Sequence, residues 1–227
     1  MMAKRIIIYC IGVLFMAAGF IFNAKSGLGT TPICSIAYCV SVLTGTTFSD
    51  MTMILFALCF FAAILIRWKK PHWTDFLQLP YCFIFTRCMS AFAAILPSPT
   101  ELPLQILFLV LGIVCVGTGA TMTLAMHLVP NPGDYMVNCF GNRIHKSLGF
   151  AKNVVDVVIV GSVCIISLIT HRGILELGVG FGTLAAVILT GRWMALVNHF
   201  FLNKYNQVYK SAYIKIFDNK DDEAVAA

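Results

Sequence analysis

Four ionisable side chains stand inside apolar stretches, where charge is costly: Arg87, Arg192, Asp134 and Asp156. Burying such a group in a bilayer costs about 2.5–3.5 kcal/mol on insertion scales, so each is a functional candidate by default. A guanidinium keeps its proton and must find an anion, a ring of carbonyls or water. Arg87 and Arg192 could therefore grip a carboxylate, sulfonate or phosphate through paired hydrogen bonds. They could equally pair with Asp134 and Asp156 and lock the helices together. Asp134 follows Pro132-Gly133, where a carboxylate caps a helix start, and it could also take up a proton or Na⁺ as a coupling ion. Asp156 has Lys152 four residues earlier, the spacing of a local ion pair, with the same coupling role open.

These groups need a scaffold, and the composition says which kind. Hydrophobic residues make up 59% of the 227 and charged residues 11%, against about a quarter charged in soluble domains, which excludes a soluble globule. Apolar runs at 6–22, 51–66, 76–96, 102–126, 154–170 and 175–201 are long enough to cross a ~30 Å hydrocarbon core as helices. The first is too long for the apolar core of a secretion signal and is expected to be retained. Lysine and arginine punctuate these runs rather than forming a basic stripe with exposed aromatics, so nucleic acid is not an expected partner; the lipid bilayer is. Nine cysteines show no Cys-x-x-Cys pair and no zinc spacing, so disulfides, metals and cofactors are not expected. There is no His-Glu-x-x-His and no Gly-x-Ser-x-Gly, and the chain does not read as an enzyme.

Two apolar stretches, 32–44 and 132–142, are too short to span and each follows a Gly/Pro-rich loop. If both re-enter, Lys4/Arg5, Arg67/Lys69/Lys70, Arg143/Lys146 and the lysines from Lys204 onward share one face, and only Lys25 and Arg172 remain on the other. The expected fold is an all-α polytopic membrane protein: six transmembrane helices plus two short re-entrant helices in two inverted repeats, with both termini cytoplasmic. Eight spans are the alternative. Trp68 and Trp73 read as interfacial anchors, and residues 203–227 as a cytoplasmic tail whose first part is a short surface helix.

Sliding the chain against itself by 100 residues lays Gly12 on Gly112, Gly19 on Gly119, Leu28 on Leu128, Pro32 on Pro132 and Cys39 on Cys139. Five residues more of shift bring Arg87 onto Arg192. The identities fall at helix glycines and loop-proline junctions, where backbone geometry selects the residue. Residues 1–100 and 101–202 then form two repeats of three spans each. An odd number of spans inverts the second copy, as in secondary transporters. The starts of the two short helices, at Pro32 and Pro132, should meet near the midplane. Gly29, Thr30, Thr31, Cys34 and Asn131 would line that meeting point, adding two positive helix ends to the arginines. The helix glycines, Gly117 included, read as close-packing positions.

The glycine-bearing first helix, the turn Leu28-Gly29-Thr30-Thr31-Pro32, the short helix and the degenerate second copy with Leu128, Pro132 and Asp134 resemble the YczE-like group of small bacterial membrane proteins, filed beside YitT-type proteins. The likeness covers roughly residues 5–200, with Gly27, Cys34 and Val129-Pro130-Asn131 departing from the pattern. It implies the bacterial cytoplasmic (inner) membrane and transport, and names no substrate. The expected function is secondary transport of a small organic anion by alternating access about a midplane site, with H⁺ or Na⁺ coupling and an oligomer left open. Two rivals remain: the substrate-binding membrane subunit of a vitamin importer, and a non-transporting membrane assembly factor.

Overall fold

The computed structural model describes residues 2–67, 76–126, 128–146 and 148–217, the last of these from 200 onward by backbone course only. The described chain is all helical: α1 Met2–Lys25, α2 Pro32–Thr44, α3 Phe48–Ile66, α4 Gln78–Ile95, α5 Leu102–Met126, α6 Pro132–Arg143, α7 Leu148–Thr170 and α8 Phe181–Phe217. Trp68, Trp73 and residues 218–227 lie outside the described residues. Five helices are long and apolar enough to cross a membrane: α1, α3, α5, α7 and the first half of α8. The sixth expected span, α4, is diluted by Gln78, Tyr81 and Arg87 but has 18 residues and lies alongside α1. No break separates α8 from the expected tail; its 37 residues reach about 55 Å, nearly twice a hydrocarbon core.

Local chemistry sets the short helices. Pro32 and Pro132 open α2 and α6, where the missing N–H costs nothing. Asn131 caps α6, its side-chain oxygen accepting the Gly133 amide at 3.0 Å. Gly45, at φ +69°, ends α2 in the left-handed conformation that glycine adopts without strain. Thr47 caps α3 by accepting the Asp50 amide at 3.1 Å.

Helices α1 and α5 form the central pair, crossing antiparallel. The Arg5 guanidinium donates to the Met126 carbonyl at 2.6 Å, Gly12 lies against Gly119 and Met122, Gly19 against Val116, and Asn23 against Gly112. The four glycines matched by the 100-residue shift are thus the crossing itself. A Cβ added at Gly19 would stand 2.6 Å from the Val116 nitrogen, and one at Gly119 2.6 Å from the Gly12 oxygen. Only hydrogen allows backbones this close.

The other contacts follow the same exchange. α4 packs on α1 as α8 packs on α5, α3 on α2 as α7 on α6, and α3 on α6 as α7 on α2. One pairing breaks it: α3 packs on α4, whereas α8 rests mainly on α5 with a slight contact to α2. The main core lies where seven of the helices converge, around Phe20, Phe56, Phe85, Met89 and Val137, with Phe85 meeting Phe20 edge-on at 5.5 Å and Phe56 at 5.7 Å.

Candidate functional site

The starts of α2 and α6 meet. A Cβ on Gly133 would stand 2.6 Å from Cδ1 of Ile33, so the first turns of the two short helices are in direct contact. From there the helices diverge. The end of α2 lies by the start of α3, with Tyr38 edge-on to Phe48 at 5.6 Å, while the end of α6 leads within five residues to α7.

Around this junction sit three charged groups of the second half, Lys152, Asp134 and Asp156. Lys152, in the second turn of α7, brings Nζ to 3.5 Å from Oδ1 of Asp134 in the first turn of α6. Both side chains are accessible, at 47% and 36%. Asp156, one turn further along α7, is only 8% exposed and makes no hydrogen bond or ion pair among the described residues. The local Lys152–Asp156 pair suggested by their spacing gives way to a pair between helices. The Lys152 stem reaches across to α6, where Asp134 is presented at the helix start. Cys34 in the first turn of α2 is fully buried beside this group. Tyr81 of α4, 7% exposed, points a buried hydroxyl into the same region with no hydrogen-bond partner.

The remaining expected site residues divide between scaffold and periphery. Thr30 gives both its amide, at 2.8 Å, and its hydroxyl, at 3.1 Å, to the Gly178 carbonyl, tying the 26–31 loop to the segment before α8. Gly29, at φ +136°, lies against Thr183 and Gly180 in the same seam. Thr31 and Asn131 precede the two short helices; Asn131 spends its side chain on the cap, whereas Thr31 makes no such bond, leaving the first turn of α2 without a side-chain cap.

Arg87 and Arg192 do not flank a common cavity, and neither meets Asp134 or Asp156. Arg87 pairs with Asp50 of α3 at 2.9 Å, both partners accessible, and lies 5.4 Å over the Phe83 ring. Arg192 lies exposed in a groove of about 320 Å³ between α5 and α8, lined by Val110, Ile113, Val114, Leu189 and Trp193. The arginines belong to equivalent helices, but those helices flank α1 and α5 rather than face each other. Asp50 and Lys152 are the functional candidates the linear reading passed over. Each partners a residue at least 18 positions away, and no local spacing marks such pairs.

The nine cysteines form no disulfide, and among the described residues no group of three or more His, Cys, Asp and Glu could hold a metal. Over residues 3–199 the chain matches the model of a family described as "Family of unknown function (DUF6198)". No curated protein and no solved structure matches it.

Proposed function

We propose that this chain, which belongs to that family of unknown function, is a secondary transporter of a small organic anion, working by alternating access about the junction of α2 and α6. The observation that carries the reading is the meeting of Ile33 and Gly133, the first turns of two short helices at repeat-equivalent positions, beside an antiparallel crossing of repeat-equivalent glycines. Half-length helices whose starts meet inside a bundle place two positive backbone ends at a central point, the arrangement by which transporters built from inverted repeats bind solutes.

In this reading α2 and α6, about 20 Å and 18 Å long, re-enter rather than span, and α1, α3, α4, α5, α7 and α8 cross. Lys4, Arg5, Arg67, Arg143 and Lys146 then share the cytoplasmic face, with both termini, of a bacterial inner-membrane protein. Lys25 and Arg172 take the opposite face with Glu101 and Glu176. The YczE-like resemblance belongs to the same proposal. The site is relocated from the arginines to Lys152, the first turn of α2, Asp134 and Asp156, with Cys34 and Asn131 shaping its wall. Two carboxylates beside one ammonium suit coupling to a cation.

The purified protein is to be screened by thermal shift against carboxylates, sulfonates, phosphates and neutral metabolites, and the compounds that stabilise it followed as uptake into proteoliposomes. Stabilisation and uptake by one anion class are expected. No shift with any member would leave an assembly factor, and an ATPase that co-purifies would leave an importer subunit; either result overturns the proposal.

A further inference from the structure

We infer that Lys152 is the cation that binds the transported anion, that Asp134 is its counter-ion in the empty site, and that each anion therefore enters together with one proton. The inference rests on the transporter reading above and assigns its binding residue, its coupling ion and its stoichiometry.

The geometry points to an exchangeable pair. A tight ammonium–carboxylate bond is about 2.7–2.9 Å long; Lys152 and Asp134 stand at 3.5 Å with roughly half and a third of their side chains accessible. Neither side chain is sealed off within the protein. Lys152 also sits where an anion would profit most, beside the meeting first turns of α2 and α6, the former without a side-chain cap.

Charge then dictates the order of events. The groups gathered here are Lys152 and Asp156 on α7, Asp134 on α6, Cys34 on α2, Cys59 on α3 and Tyr81 on α4. Nearby, Arg67, the residue that follows α3, donates to the Tyr135 hydroxyl of α6. Among the described residues, Lys152 is the cation paired with Asp134 at the junction. Asp156 is more than nine-tenths buried, one turn along α7 from Lys152, and makes no hydrogen bond among the described residues. The Lys152–Asp134 pair of the empty site is neutral, ammonium against carboxylate. An anion arriving at Lys152 would leave Asp134 as a second, uncompensated negative charge, at a cost of several kcal/mol. A proton from bulk water on Asp134 removes that charge and frees Lys152. The loaded group of anion, Lys152 ammonium and Asp134 acid is again neutral. On release at the other face the anion departs, the Asp134 proton returns to water, and the Lys152–Asp134 pair re-forms.

The test uses the full chain in proteoliposomes with acetate, succinate, methanesulfonate and inorganic phosphate as probes. For the best of these, wild-type affinity should rise about tenfold for each unit fall from about pH 8 to about pH 6, the slope of one linked proton. Asp134→Asn, which imitates the protonated acid, should bind at every pH and lose proton-driven accumulation. Lys152→Gln should abolish binding and Lys152→Arg restore part of it. If Lys152→Gln fails to fold because Asp134 is left unpaired, the double change Asp134→Asn/Lys152→Gln removes both charges, and it too should not bind. Binding that survives without Lys152, or an Asp134→Asn protein that keeps the wild-type pH slope, overturns the inference while the transporter reading stands. A wild-type protein that binds none of the four anions overturns both.

Discussion

Replacing Gly119 with alanine should be among the most damaging small changes in this chain, and Gly191→Ala among the least. The added Cβ at Gly119 would stand 2.6 Å from both the Gly12 oxygen and the Met16 nitrogen, and 3.0 Å from the Met16 Cα. Ordinary carbon–oxygen contacts begin at about 3.3 Å, so α1 and α5 would have to part by roughly 0.7 Å. The obstacles are backbone atoms that cannot rotate away. Overpacking of this kind costs about 1–3 kcal/mol, and opening the crossing also loosens its neighbours. Gly191, in the interior of α8, has nothing within 4 Å of its added Cβ. There alanine brings up to about 1 kcal/mol of helix propensity and meets no clash. For a chain of this size each kcal/mol moves the midpoint by about 2–4 °C, so Gly119→Ala should fall by about 2–12 °C and Gly191→Ala hold or rise slightly. Gly19→Ala, the repeat equivalent with 2.6 Å to the Val116 nitrogen, should match Gly119→Ala. Thermal unfolding of the purified protein, followed by intrinsic fluorescence, reads all three. Equal midpoints for Gly119→Ala and Gly191→Ala would refute the close crossing of α1 and α5.

Three further outcomes follow from the same geometry. Asn131→Ala removes the side-chain cap of α6 and should cost about 1 kcal/mol, seen as a midpoint lower by about 2–4 °C. Arg192→Leu exchanges an exposed guanidinium in an apolar groove for a lipid-compatible side chain; insertion of α8 should improve by up to about 3 kcal/mol in a translocon assay, with the anion-induced thermal shift unchanged. Arg87→Gln breaks an accessible pair with Asp50 and should likewise leave that shift in place, at a stability cost of about 0–1 kcal/mol. A lost shift in either arginine variant would return the binding site to the arginines.

How much of this was legible beforehand depended on what kind of constraint each residue answers to. Gly12, Gly19, Gly112, Gly119, Pro32 and Pro132 answer to the backbone: a crossing this close admits only glycine, and a short helix starting inside the bundle tolerates proline in its first turn. Such requirements recur in each copy of the repeat, so a plain shift of 100 exposed them, and with them the meeting of α2 and α6. Charge pairs answer to whatever lies across a gap in space. Arg87 found Asp50, 37 residues away, and Lys152 found Asp134, 18 residues away, rather than Asp156 one turn along its own helix. Arg87 and Arg192 fall on α4 and α8, which pack on α1 and α5, and there they meet different surroundings: Asp50 for the one, the α5–α8 groove for the other.

The same distinction bears on how the molecule could work. At the positions equivalent to Asp134, Lys152 and Asp156 the first half carries Cys34, Thr52 and Phe56, all three fully buried. In the transporter reading the two halves share a scaffold and divide the chemistry of the junction: the second supplies Asp134, Lys152 and Asp156, and the first supplies a buried wall and the first turn of α2, which lacks a side-chain cap. A symmetric frame has two equivalent ways to open, one by each half. A charged cluster carried by one half alone makes those two states differ in how the cluster is solvated. Solute and proton, by filling the cluster and cancelling its charge, would remove that difference, and so permit the frame to change state when loaded and resist it when only partly filled.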